Sequence, residues 1–203
     1  VGIAGGSASG KTSFLKALTA KFEPGEVAVI TQDNYYLEKH QQMRDAQGTI
    51  NFDLPDAIDR VALFQDLRHL IAGANVARQE YTFNNTRAVA SQIEVAPAPI
   101  IIVEGLFVFH FTELSQMLDL KVYIDARDEI KLQRRLKRDA IERGYPESDV
   151  RYRWEHHVMP CYHSYLKPYR DSCDLIVTND QSFDSGLDVL VDHLKTKVQE
   201  TVC

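Results

Sequence analysis

Gly5-Gly6-Ser7-Ala8-Ser9-Gly10-Lys11-Thr12 meets the pattern G-x-x-x-x-G-K-[ST] at every fixed position. Residue types at this spacing suit a polyphosphate. Glycines let the backbone turn tightly and aim its N–H groups at phosphate oxygens. Lys11 supplies a point charge for the β- and γ-phosphates, and the Thr12 hydroxyl can hold Mg²⁺. The alternative is a Gly/Ser-rich turn with a surface lysine, which needs no particular flanks. Here apolar Val1 to Ala4 lead in, and Thr12 to Leu18 reads as a helix start. That arrangement puts the partial positive charge of a helix N-terminus under the phosphates. Gly5, Gly6, Ser7, Ala8, Ser9, Gly10, Lys11, Thr12 and Ser13 are therefore expected to cradle a nucleotide.

Three carboxylates and one cationic segment suggest what the nucleotide is for. Asp33 follows the β-rich run Val27 to Thr31, at the strand edge where open α/β sheets place ligands; it suits an ordinary turn cap equally well. Glu104 ends Ile100-Ile101-Ile102-Val103 just before Gly105, the place of an acidic partner for nucleotide-bound Mg²⁺. Asp53 lies in a long polar loop over 37–56, free of the capping role open to Asp56. Arg127, Lys131, Arg134, Arg135 and Arg138 recur at helical intervals, with Arg143 beyond. Balanced by Asp128, Glu129, Asp139 and Glu142, this is an ordinary solvated helix. Beside a triphosphate, the same face fits a lid over about 127–148 that closes arginines on a transferring phosphoryl group.

The elements that must hold these residues alternate as apolar strands and amphipathic helices. That predicts an α/β fold with a mostly parallel sheet covered by helices on both faces. Asp56 is expected to cap a helix from Ala57 to Ala72 with a buried stripe of Ile58, Val61, Leu63, Phe64, Leu67, Leu70 and Ile71. Val76 to Phe83 and Ala88 to Val95 alternate around Asn84-Asn85-Thr86 and read as a β-hairpin inserted at about 76–95. Leu120 to Asp125 is a further strand. Ser148 or Asp149 can cap a second helix through Met159. A strand at Asp174 to Val177 and a helix from about Phe183 to Val198 follow. Residues 1–203 read as a single domain, with no internal repeat.

A net charge of −6 argues against a general nucleic-acid or anionic-membrane surface, so basic features must be local. Cys161, Cys173 and Cys203 are odd in number and lack metal-ligand spacing, which suits a reducing cytoplasm. Neither a signal-like segment nor an apolar run of membrane length is apparent.

Taken together, Gly2 to Thr12, Gln32-Asp33-Asn34-Tyr35-Tyr36, Asn51-Phe52-Asp53-Leu54-Pro55-Asp56-Ala57, Glu104-Gly105 and Arg138-Asp139-x-x-Glu142-Arg143-Gly144 resemble the uridine kinase family, in order and at similar separations. The resemblance covers nearly the whole chain and places it in the phosphoribulokinase/uridine kinase group of P-loop kinases. It implies transfer of the γ-phosphoryl group of ATP (or GTP), with Mg²⁺, to the 5′-hydroxyl of uridine or cytidine. It implies Asp33 as general base and Arg138 as a lid arginine on the phosphates. Lys11 becomes the phosphate lysine, with Thr12 and Glu104 on the metal. Asp53 is implied at the ribose hydroxyls, Tyr36 and Tyr81 on the nucleoside side, and Arg135 and Arg143 at the nucleoside. It also implies a small-molecule substrate and a homo-oligomer, commonly a tetramer.

Departures from the family pattern cluster at the base end. The stretch Tyr81-Thr82-Phe83-Asn84-Asn85-Thr86-Arg87 is one residue short and lacks the histidine that reads the pyrimidine edge. Tyr145 stands where the family shows Arg, and Arg153 where it shows Gln before an aromatic. The family's Arg-Gly near the adenine is absent around Asn179-Asp180. The phosphate machinery is intact, so the reaction is expected to stand while acceptor preference shifts. Other readings are a relative acting on a different small alcohol, and a nucleotide-binding regulator with vestigial transfer.

Overall fold

The computed structural model describes residues 1–82 and 89–202. Strands β1 (Gly2–Ala4), β2 (Val27–Thr31), β5 (Ile100–Glu104), β6 (Lys121–Asp125) and β7 (Leu175–Thr178) form one sheet in the order β2-β5-β1-β6-β7. Every pairing in it is parallel. A second sheet is the antiparallel pair β3 (Val76–Gln79) and β4 (Gln92–Val95), with Val76 opposite Val95. The inserted hairpin is thus present with shorter strands than its alternation predicts. Its expected turn at Asn84-Asn85-Thr86 lies outside the described residues.

Period-two alternation sends neighbouring strand residues to opposite faces. Ile3, Ile102, Val122, Ile124 and Val177 pack under α1 (Lys11–Thr19) and α8 (Asp184–Val202), against Phe14, Leu18, Leu187 and Leu190. Ala4, Ile30, Val103 and Tyr123 face the other way, onto Leu63, Leu67 and Leu70 of α2 (Arg60–Ile71) and onto Tyr162 and Leu166. Both faces are covered, as a parallel sheet requires.

Two helix boundaries differ from the sequence expectation. Pro55–Ala57 forms a separate 3₁₀ turn, and α2 starts later, capped by Asp59, whose Oδ1 accepts from the Ala62 amide at 3.0 Å. Asp56 therefore does not cap it. The buried stripe is also narrower than expected: Leu63, Leu67 and Leu70 are buried, while Val61 (60% exposed) and Ile71 stand in solvent.

The second difference is α5 (Glu147–Arg153). It begins after Pro146 with no side-chain cap from Ser148 or Asp149, and it does not stop at Met159. It runs on through a π-helical turn (Trp154–Val158), α6 (Met159–Cys161), a second π turn (Tyr162–Leu166) and α7 (Lys167–Arg170). Each π turn stands just before a proline, Pro160 or Pro168. Proline lacks an N–H and its ring crowds the carbonyl four residues back; widening the preceding turn relieves both and lets the helix continue.

α3 (Thr112–Ser115) and α4 (Asp128–Glu142) complete the helices. Among the described residues no helix is long and apolar enough to cross a membrane. Cys161 and Cys173 are free thiols.

Candidate active site

The parallel register aligns the carboxyl ends of the strands. Thr31 pairs with Glu104, and Glu104 with Ile3. Gly5, Asp33 and Glu104 consequently meet at one sheet edge, beside central β1, where a crevice opens between diverging connections. A cleft of about 550 Å³ occupies that edge. Ser7, Lys11, Thr12, Asp33, Glu104 and Arg138 are among the residues that line it.

The phosphate loop is built from backbone that side chains do not favour. Gly10 has φ +101° and Ala8, a non-glycine, has φ +60°. Such left-handed residues turn successive N–H groups inward as an anion nest. A Cβ on Gly10 would strike the Asn179 amide, whose Nδ2 donates to the Ser9 carbonyl at 2.8 Å. Ala8, Gly10, Thr12 and Ser13 face the cleft. Ser9 is wholly buried behind the loop, and its carbonyl accepts from Asn179 and Arg134. Lys11 is nearly buried, and its Nζ donates to the Gly6 carbonyl at 3.1 Å.

Gln32 sets the spacing of the two acidic strand ends. Wholly buried, it accepts from the Phe107 amide at 2.8 Å, and a Cβ on Gly105 would run into its side chain. Asp33 and Glu104 are thereby clamped beside Lys11. Burial pushes the Glu104 carboxyl up to about 7, opposed by Lys11 and assisted by the Asp33 charge. Burial likewise raises Asp33; Lys11, Arg143 and Arg138 oppose the rise, and Asp53 adds to it. Lys11 is pushed the other way by desolvation, and Glu104 and Asp33 restore part of its proton affinity. The three groups form one mutually dependent charge cluster.

α4 lies across the loop, but only part of its predicted cationic face reaches the cleft. Arg127 turns out to Asp180 at 2.9 Å. Lys131, 2% exposed, is held by Asp128 at 2.7 Å and sits 4.0 Å over the Tyr162 ring, behind the phosphate loop. Arg134, Arg135, Arg138 and Arg143 line the cleft. Arg135 donates to Ser7 Oγ at 2.7 Å and lies 3.9 Å from buried Asp53, which ties lid, phosphate loop and polar loop together.

The far end of the cleft is aromatic. Tyr36 packs against Phe52 (5.8 Å) and Tyr81 (5.2 Å), and the Tyr81 amide donates to Asn34 Oδ1. Arg153 lies 5.1 Å over the Tyr145 ring and donates to the Ile50 carbonyl at 3.0 Å. Asn84 and Asn85, the candidates for replacing the missing histidine, lie outside the described residues. The 37–56 loop is pinned by Asp45, which accepts from Tyr152 and His157 at 2.8 Å each and from the Thr49 and Gln47 amides.

The site residues chosen from sequence line this cleft except Gly5, Gly6, Ser9 and Tyr81, of which Gly6 lines a small cavity with Ser7 and Asp53 and Tyr81 packs on Tyr36. Gln32, Asn34 and Asp45 support the site without being among the residues the sequence points to; the first two lie within Gln32-Asp33-Asn34-Tyr35-Tyr36, and no local signal marks Asp45. The donor set also fits a magnesium nucleotide. Among the described residues no group of three His, Cys, Asp or Glu could cage a metal. One acid whose proton affinity burial raises and one hydroxyl suit Mg²⁺, which keeps waters and phosphate oxygens as its other ligands.

A parallel sheet with this loop at its central strand, faced by acids and a helix of arginines, defines a P-loop phosphotransferase. The Phosphoribulokinase / Uridine kinase family profile matches residues 1–184, and the chain belongs to that family. It is 33% identical to uridine kinase of Borrelia duttonii over 201 residues, covering 99% of this chain and 96% of that protein. Identity to uridine-cytidine kinase B of Dictyostelium discoideum is 28% over 200 residues, 98% of this chain and 82% of the other. The solved phosphoribulokinase of Rhodobacter spheroides shares the fold, with a TM-score of 0.62 at 17% identity, over 87% of this chain and 68% of that one. The chain is an ATP-dependent kinase of the uridine kinase type.

Proposed function

We propose that the chain transfers the γ-phosphoryl group of ATP to the 5′-hydroxyl of a pyrimidine nucleoside, uridine or cytidine. The observation that carries this reading is the meeting of Asp33, Lys11 and Glu104 in one cleft, clamped by Gln32. Asp33 accepts the hydroxyl proton; its burial raises its basicity toward what such a base needs. Lys11 and Arg138 face the phosphate oxygens. Thr12 and Glu104 hold Mg²⁺, which when bound neutralises charge on the transferring group. Asp53, 3.9 Å from Arg135, holds the ribose hydroxyls in this reading, and Arg143, Tyr36 and Tyr81 form the nucleoside wall. By family resemblance the protein is a homo-oligomer, which a mass measurement in solution tests, and its cysteine usage suits the cytoplasm.

A second reading, another nucleoside or a different small alcohol, is favoured by the Arg153–Tyr145 pair at the base end. A screen of uridine, cytidine, other ribonucleosides, sugar phosphates and pantothenate for acceptor-stimulated ADP release separates the two. Stimulation by none of them, with MgATP still bound, would instead favour a non-catalytic nucleotide binder.

A further inference from the structure

Arg135 and Arg138 on the second half of α4 and Arg143 just beyond it reach the cleft, and the Asp139 carboxylate stands behind all three. Asp139 is 1% exposed. Its Oδ1 accepts from Arg138 Nε at 2.8 Å and lies 3.6 Å from Arg143 Nη1. Its Oδ2 lies 3.3 Å from Arg135 Nε. That last contact is too poorly aligned to be a hydrogen bond, so Asp139 Oδ2 and Arg135 Nε are both buried without one. The Asp139 carbonyl also accepts from the Arg143 and Tyr145 amides, which fixes the chain where it leaves the helix.

We propose that Asp139 is a positioning residue for phosphoryl transfer: it spaces the three guanidiniums and withholds part of their charge from the nucleotide in the ground state. Three like charges crowded on one helix end repel, and without a shared anion their side chains spread or fold onto whatever phosphate is bound. Binding that is equally strong before and at the transition state does not speed the chemical step. A carboxylate behind the arginines absorbs part of their field at rest. Its misaligned contact to Arg135 can tighten as that arginine, also bonded to Ser7 Oγ, adjusts to the reacting group. A purely structural counter-ion makes a different forecast, since its loss disorders the arginines and weakens phosphate binding together with catalysis. The proposal rests on the MgATP half of the reading above and not on the identity of the acceptor.

The test is Asp139→Asn, nearly equal in size but neutral, with Asp139→Glu as the charge-keeping control, both in the full chain. Binding of inorganic tripolyphosphate is measured by calorimetry, and turnover with MgATP and uridine or cytidine. Removing one negative charge beside three guanidiniums is expected to tighten tripolyphosphate binding by about tenfold. Turnover is expected to fall by about 10²-fold, because the arginines lose their spacing. Asp139→Glu is expected to bind tripolyphosphate within about threefold of the parent, since the charge is kept, yet to turn over more slowly. Asparagine binding tripolyphosphate no tighter than the parent, or keeping parental kcat, overturns the proposal. If the asparagine protein does not melt cooperatively, the glutamate protein decides: unchanged anion affinity with reduced kcat supports positioning, and loss of both overturns it. Inactivity of the parent toward both nucleosides would count against the acceptor reading alone, and the tripolyphosphate comparison would still decide this one.

Discussion

Replacing Asp33 by Asn tests the proposed division of labour most directly. The substitution keeps shape and hydrogen-bonding capacity but removes the ability to take a proton. Asp33 shares its cleft with Lys11, Arg138 and Arg143, so the folded protein carries a surplus of cations there even with the acid ionised. Neutralising it should therefore leave MgATP affinity within about threefold of the parent, or slightly improved, since an opposing charge has gone. Turnover is expected to fall by about 10²–10⁴-fold, the usual contribution of a positioned proton acceptor, or roughly 3–5 kcal/mol of barrier. The pH profile adds an independent sign. Burial raises the Asp33 pKa, so the parent should lose kcat/KM as pH falls through a value above the ordinary aspartate range. The asparagine protein should lose the Asp33 contribution and keep only the limb set by Glu104, moved to lower pH because the Asp33 charge no longer raises that carboxyl. ADP release in a coupled assay gives kcat and KM, and calorimetry gives MgATP affinity. Collapse of MgATP affinity with survival of kcat would show that Asp33 serves the metal or the fold, and an unchanged acid limb would assign the base elsewhere.

Other outcomes follow from the same geometry. Lys11→Ala and Glu104→Gln should each abolish transfer whichever alcohol is offered, because both act on the magnesium nucleotide; normal turnover by either pure variant contradicts the assignment. Uridine and cytidine are expected to show kcat/KM below about 10⁵ M⁻¹s⁻¹, since two unreplaced base contacts cost roughly 2–6 kcal/mol; a steady-state series reaching that value shows the base end to be complete. Asp45→Asn should raise acceptor KM by roughly tenfold through misplacement of the loop that carries Asp53, with MgATP KM unchanged. Desolvation pushes the Asp45 pKa up, but the Tyr152, His157, Thr49 and Gln47 hydrogen bonds outweigh it and hold it well below the usual range. Its stabilising effect is thus present above the ordinary aspartate pKa and fades as pH falls toward the folded value. Thermal melts of parent and variant should accordingly converge in acid.

The phosphate half of the site was legible in the sequence because it depends on local signals. A glycine-lysine loop and β-branched runs ending in Asp33 or Glu104 specify strand ends, and strand ends in a parallel sheet share one edge. What could not be read is set by contacts distant in sequence. Asp139 looks like one half of an i,i+4 surface pair with Arg135, yet α4 packs on the phosphate loop and buries it among three arginines. Lys131 carries the same spacing as its cleft-facing neighbours but is taken by Asp128 and Tyr162. The sequence predicts a helix only through Met159, whereas the helical run continues to Arg170 across two π turns that have no sequence signature. Asp56 and Asp59 are equivalent as caps by residue type; the 3₁₀ turn at Pro55 decides between them.

The two halves of the cleft are held by different means, and that difference bears on how the acceptor can change. Asp33 and Glu104 stand at strand ends packed on both faces, Lys11 opens α1 one loop beyond β1, and Gln32 locks the two acidic ends together. A substitution there disturbs the sheet and the chemistry at once. The acceptor wall is assembled from the 37–56 loop, the hairpin and α5, joined by a few side-chain contacts: Asp45 to Tyr152 and His157, Arg153 to the Ile50 carbonyl, and the Tyr81 amide to Asn34. Such contacts can be exchanged one at a time while the strand edge stays in place. Asp53 is the hinge between the halves, since Arg135 touches both it and Ser7 of the phosphate loop. Tyr145 and Arg153 lie on the exchangeable side of that hinge. A change of acceptor in this chain is therefore expected to appear in the response to the base and to leave the requirement for Lys11, Asp33 and Glu104 untouched.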